Sequence, residues 1–102
     1  LENQSQEIEI QRENFLFNQN FIEIQQRNDL EKIQNLIDKD NELIELRKNI
    51  KTASLAQLEN GVINTNDYLR EVTAEEQAIL TKITHEIQYL LTQYNLKAQL
   101  NN

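Results

Sequence analysis

One glycine and no proline in 102 residues leave this chain very few ways to reverse direction, because Gly and Pro are the strongest local breakers of helix and strand. The glycine stands in the stretch LENGVINTNDYL, residues 58–69. On either side of that stretch the apolar residues recur at helical spacing.

Before it, Leu1, Ile8, Phe15, Ile22, Leu36, Leu43 and Ile50 fall on a seven-residue repeat that only Asp29 interrupts. A second series, Ile10, Phe17, Phe21 and Ile24, lies on nearly the opposite side, since Ile8 and Ile10 point about 200° apart at ~3.6 residues per turn. After it, Leu69, Val72, Leu80, Ile83, Ile87, Leu90 and Tyr94 follow at spacings of three, four and seven, which reads as a coiled-coil seam. Leu91 and Ala98 make a weaker stripe beside it. The spacing predicts an all-α fold, with one helix over about residues 2–59, a turn over about 60–65 and a second helix over about 66–100.

The turn has its own chemistry. Gly61 after Asn60 suits the residue following a helix C-cap, where positive φ is needed and Val62 can fold back on the last turn near Leu58. Asn64 is a helix N-cap, and Asp67 three residues on completes a capping-box-like pair near the positive end of the helix dipole. So short a connection forces the two helices antiparallel, giving a long helical hairpin with coiled-coil packing.

Folding about residues 63 and 64 brings Leu58 near Leu69 and carries Leu100 only to about Gln26 or Arg27. The first 26 residues or so then overhang, exposing Phe15, Phe17, Phe21, Ile22 and Ile24. An apolar patch of that kind marks an interaction surface. For the isolated chain the expectation is self-association, most simply a two-fold dimer with overhangs paired antiparallel.

Composition narrows the function. Ten Lys and Arg against 17 Asp and Glu give a net charge of -7, spread along the chain as a solvated face. That argues against nucleic acid as a partner, since binding it needs a clustered basic surface. No stretch approaches the roughly 18 apolar residues of a membrane span, so this segment is expected to make no membrane contact. With no cysteine, disulfides and thiolate metal sites are ruled out. The beginning at Leu1, with no Met and no leader pattern, reads as an excised piece of a longer protein.

Catalysis is not expected, and no cofactor or metal is. The single histidine, His85, has Thr81, Lys82, Gln88 and Tyr89 as helical neighbours, which do not make a metal site. Glu75 and Glu76 point about 100° apart and cannot act as a carboxylate pair. No nucleophile sits beside a base, and no glycine-rich phosphate loop exists. Tyr68, Tyr89 and Tyr94 read as seam or interface residues.

The run Gly61-Val62-Ile63-Asn64-Thr65-Asn66-Asp67-Tyr68-Leu69, then Glu71 to Ala74, His85-Glu86-Ile87-Gln88 and Tyr94-Asn95-Leu96-Lys97, resembles the last helical hairpin of TolC-type outer-membrane efflux proteins. The family pattern has a turn glycine, an aspartate six residues on, a hydrophobic pair, and a helix ending in a Tyr/Asn-Leu-Lys stretch. The likeness is specific over about residues 53–101 and compositional before that. It implies a homotrimeric conduit in which an outer-membrane β-barrel is continued by a periplasmic α-helical barrel. The β-strands have no counterpart here.

On that resemblance the turn Gly61, Val62, Ile63 and Asn64 is an entrance tip where hairpins of a periplasmic adaptor or inner-membrane pump dock. Asp67 and Arg70 would lie near the channel constriction. Two positions depart from the pattern: Ile63 stands where a basic residue is usual, and Arg70 where a second acid is usual. A generic coiled-coil dimerisation or scaffold hairpin is the alternative. An adaptor hairpin fits less well, because Arg12 and Leu16 are followed by Glu23, far from the turn, where adaptors carry a Ser or Thr near the tip.

Overall fold

The computed structural model describes residues 2–100. It consists of two α-helices, α1 (Glu2–Glu59) and α2 (Thr65–Leu100), folded against each other. The molecule measures 88 × 17 × 15 Å. At ~1.5 Å per residue, the 58 residues of α1 account for the whole length, and the width is that of two helices side by side. The expected all-α antiparallel hairpin is the observed architecture, and the expected helix limits hold to within a residue. Leu1 of the first apolar series lies outside the described residues.

The tip is closed by backbone geometry. The Val62 N–H donates to the Gln57 carbonyl at 2.8 Å and the Gly61 N–H to the Leu58 carbonyl at 3.1 Å. These are the two bonds of a Schellman motif, with Gly61 at φ +74°, the left-handed conformation that glycine tolerates best. Three residues later Asn64 Oδ1 accepts the Asp67 N–H at 2.8 Å, while the Asn64 N–H donates to Asp67 Oδ2 at 3.4 Å. The Tyr68 N–H then makes the first bond of α2, to the Asn64 carbonyl. One helix is thus stopped and the next started within five residues, and little freedom is left in the phase of α2 relative to α1. Val62 does not fold back on the helix; it is 70% exposed.

That phase corrects the expected seam. Leu80 and Leu90 are each 62% exposed and Tyr94 71%; Leu69, Ile83 and Ile87 also face outward, and only Val72 of that series is half-buried. On α1, Ile8, Phe15, Ile22, Leu36 and Leu43 are exposed as well, while Ile50 is half-buried.

The side chains that meet between the helices lie on a different heptad. On α1 it runs through Gln19, Glu23, Gln26, Leu30, Ile33, Ile37, Asp40, Ile44, Arg47, Lys51, Ser54 and Leu58. On α2 it runs through Tyr68, Glu71, Glu75, Ala78, Lys82, His85, Tyr89, Thr92, Leu96 and Gln99. Both follow an unbroken alternation of threes and fours. A seven-residue apolar repeat reveals that a helix carries a stripe, without saying which neighbour covers it.

The seam also reaches further from the tip than expected. Its first half-buried residue is Gln19, and Gln99 shares a shallow groove with Phe15, Asn18, Gln19 and Ile22. The unpaired part of α1 therefore ends near residue 18, not 26. The turn over residues 60–64 is centred on Val62, not on residues 63 and 64, which sets the end of α2 level with an earlier part of α1.

Candidate functional site

The hairpin interior is charged. Lys51 Nζ lies 3.1 Å from Glu75 Oε1, and Arg47 Nη1 3.9 Å from Glu71 Oε2. His85 Nδ1 is hydrogen-bonded to Asp40 Oδ2, about three turns nearer the open end than Lys51 and Glu75. Asp40 is 8% exposed and Ser54 7%, comparable with Ala78 at 6% and Leu96 at 8%. Asp40, Glu71 and Glu75 thus lie in the seam, whereas most other acids, among them Glu31, Asp38, Glu42, Glu45 and Glu76, are exposed as expected.

Such a seam gives less net stabilisation than an apolar one, because each buried charge loses hydration that its partner only partly restores. It does fix register, since sliding the helices by one heptad would separate all three pairs. Apolar periodicity does not mark out Asp40, Arg47 or Lys51, and Glu75 and His85 show no partner when only their own helix is considered. The signal was present: Asp40, Arg47 and Lys51 share the heptad phase of Leu30, Ile33, Ile37 and Ile44. His85, set aside as an isolated ring, takes its partner from the other helix.

Among the candidate tip residues, Gly61, Val62 and Asn64 are exposed and Ile63 is half-buried. The tip is therefore a small surface of backbone and short side chains. Asp67 is half-buried and its carboxylate turns back to the Asn64 N–H, so its role as a helix-start residue is seen directly. Arg70 is exposed one turn further on and lines a shallow groove on the α2 surface with Leu69, Thr73 and Gln77. Asp67 and Arg70 form no ion pair with each other among the described residues.

The aromatic patch of α1 divides in two. Phe15 and Ile22 border the groove beside Gln99 at the end of the seam. Phe17, Phe21 and Ile24 lie roughly 140° further round the helix, and all five residues are at least 40% exposed. Of the five, Phe15 and Phe17 belong to the unpaired end. Phe21, Ile22 and Ile24 face outward from the paired region.

The largest apolar surface is therefore on the outside of the hairpin. On α2 the outward residues Leu69, Leu80, Ile83, Ile87, Leu90 and Tyr94 form a second complete heptad with Thr73 and Glu76 between them. On α1 a corresponding outward stripe runs through Leu36, Leu43, Leu46, Ile50 and Ala53. No helix is long and apolar enough to cross a membrane, and no group of three or more His, Asp or Glu is placed to hold a metal ion, among the described residues.

Comparison with protein-family models, with curated proteins and with solved structures finds no match.

Proposed function

We propose that this hairpin is a wall element of a TolC-type export conduit, part of a periplasmic α-helical barrel whose Gly61–Asn64 turn faces the docking adaptor or pump. The observation that carries this reading is the inverted distribution of polarity. Charged pairs lie between α1 and α2, and each helix presents a further apolar heptad outward. A helix in a closed wall touches neighbours on two sides and needs a seam for each.

A Schellman turn followed by an Asn-Asp cap, on the residues that carry the resemblance, adds support, since a tip that docks must hold one backbone shape. In this role the protein is a conduit and not an enzyme: it binds no cofactor, and it acts as a homotrimer at the outer membrane. Asp67 and Arg70 would sit just behind the entrance.

The test is made in cells producing the native gene product. A photo-activated cross-linker at Ile63 should capture a periplasmic helical-hairpin protein in the outer-membrane fraction, and disruption of the gene should abolish an export phenotype. Recovery of the protein in the cytosol, with no cross-link from position 63, overturns the reading.

A self-assembling scaffold hairpin is the second reading, favoured by Ile63 and Arg70 at the two positions that depart from the family pattern. It gives the same outward stripes and no membrane-fraction cross-link.

A further inference from the structure

We infer that the unpaired end of α1 is a two-fold docking surface for a second copy of this chain, bound antiparallel so that the two tips lie at opposite ends of one long rod. Within one hairpin the inner face of α1 is covered only as far as Gln19. Continued toward the N-terminus in the same threes and fours, that face runs through Leu16, Arg12, Glu9 and Ser5, all of them exposed. The seam of α1 thus extends beyond the helix that covers it.

This extension is self-complementary, as a two-fold contact requires. Reversed about a point between Ile10 and Gln11, its positions exchange in pairs: Arg12 meets Glu9 of the second copy, Glu9 meets that copy's Arg12, and Leu16 meets its Ser5. Opposite charges then face each other twice across the joint, the arrangement that Lys51–Glu75 and Arg47–Glu71 already use inside the hairpin. Among the described residues neither Glu9 nor Arg12 forms an ion pair within one chain. A parallel pair in register would instead bring Arg12 to Arg12 and Glu9 to Glu9, which like-charge repulsion opposes.

The apolar flank and the length agree with this register. Ile8 and Phe15, each 65% exposed, border the extended seam on one side, and the reversal sets the Ile8 of each copy against the Phe15 of the other. With the turn centred on Val62, Leu100 ends about level with residue 24 of α1. The second copy's α1 begins opposite Gln19, about five residues or roughly 7 Å further out, so it follows α2 without overlapping it. The shallow groove bounded by Phe15, Gln19, Ile22 and Gln99 lies at this joint.

The contact uses neither the tip nor the outward stripes, so it stands apart from the export reading and the two can fail separately. Two such short segments bury on the order of 1,000 Å² in total, the small end of specific interfaces, so the 102-residue chain should be a dimer by sedimentation velocity at high micromolar concentration. Small-angle scattering of that dimer should give a largest dimension of roughly 150 Å, because two rods of 88 Å overlap only along the unpaired ends, for about 27 Å at ~1.5 Å per residue. A persistent monomer, or a dimer no longer than about 90 Å, overturns the inference.

Charge exchange tests the register. Glu9→Arg alone and Arg12→Glu alone should each weaken self-association about tenfold or more, since each puts like charges across the joint, while the helical circular dichroism of the dilute chain stays unchanged. Mixed together, the two variants should associate with each other as tightly as the parent does with itself. The combined exchange, Glu9→Arg with Arg12→Glu, should restore self-association. A dimer indifferent to both single changes, or one that neither mixing nor the combined exchange restores, refutes the pairing of these residues.

Discussion

Asp40 and His85, 45 residues apart in the chain, are hydrogen-bonded to each other across the interior of the hairpin. Among the described residues neither side chain has a hydrogen-bond partner within its own helix, so the bond exists only when the helices are folded together. Replacing Asp40 with Ala leaves the imidazole without its acceptor in a site where its side chain is only 20% exposed. The expected loss is about 1–3 kcal/mol. Replacing both residues with Leu should recover most of that loss or exceed the parent, since an apolar pair avoids the desolvation of a buried polar one. Urea titrations of the parent, Asp40→Leu, His85→Leu and the double variant measure the coupling, and strictly additive single effects would show that the pair contributes nothing.

Lys51–Glu75 and Lys82–Glu86 separate position from charge. The first joins two helices with side chains 31% and 17% exposed; the second lies along α2 with 31% and 49%. Lys51→Ala should cost about 1 kcal/mol or more, because Glu75 already has a second carboxylate oxygen buried without a partner. Lys82→Met, which keeps the stem that packs in the seam and removes only the charge, should stay within about 0.5 kcal/mol, the usual range of an i,i+4 helical pair. Thermal midpoints in low and high salt compare the two, and equal losses would contradict the ranking.

Gly61 isolates a backbone effect. A Cβ built there meets nothing within 4 Å, so substitution produces no clash and acts only through the positive φ. Gly61→Ala should destabilise by about 1–2 kcal/mol, Gly61→Asn by less, because Asn enters the left-handed region more readily, and Gly61→Val by more than Ala. The order Asn, Ala, Val in falling melting temperature is the expected outcome; indifference to all three would mean that the tip does not hold the Schellman geometry in solution.

At the start of α2, Asn64→Ala removes the side-chain acceptor of the Asp67 N–H and should cost about 1 kcal/mol. Asn64→Ser should be nearly silent. Asp67→Asn keeps a hydrogen-bonding side chain and loses only the charge near the helix N-terminus, for about 0.3–1 kcal/mol. Amide exchange over residues 65–69 reports this locally, and fraying should be greatest in Asn64→Ala.

Much of the fold was legible in the residues. The absence of proline and the single glycine fixed the number of helices, their limits and the place of reversal, because these are consequences of local backbone chemistry. Asn64 and Asp67 likewise announce a cap, since a capping box is made by residues three apart whatever surrounds them.

What the sequence by itself determined, then, is two rods and one turn, each set by interactions within a few residues. Only the tertiary structure decided which stripe of each rod meets the other, because that depends on the rotation of α2 about its axis after five residues of tip. The choice put Asp40 against His85 and Lys51 against Glu75, and turned Leu80, Ile83, Ile87 and Leu90 outward. Apolar periodicity reports that a face must be covered; the direction in which it points is a property of the assembled pair.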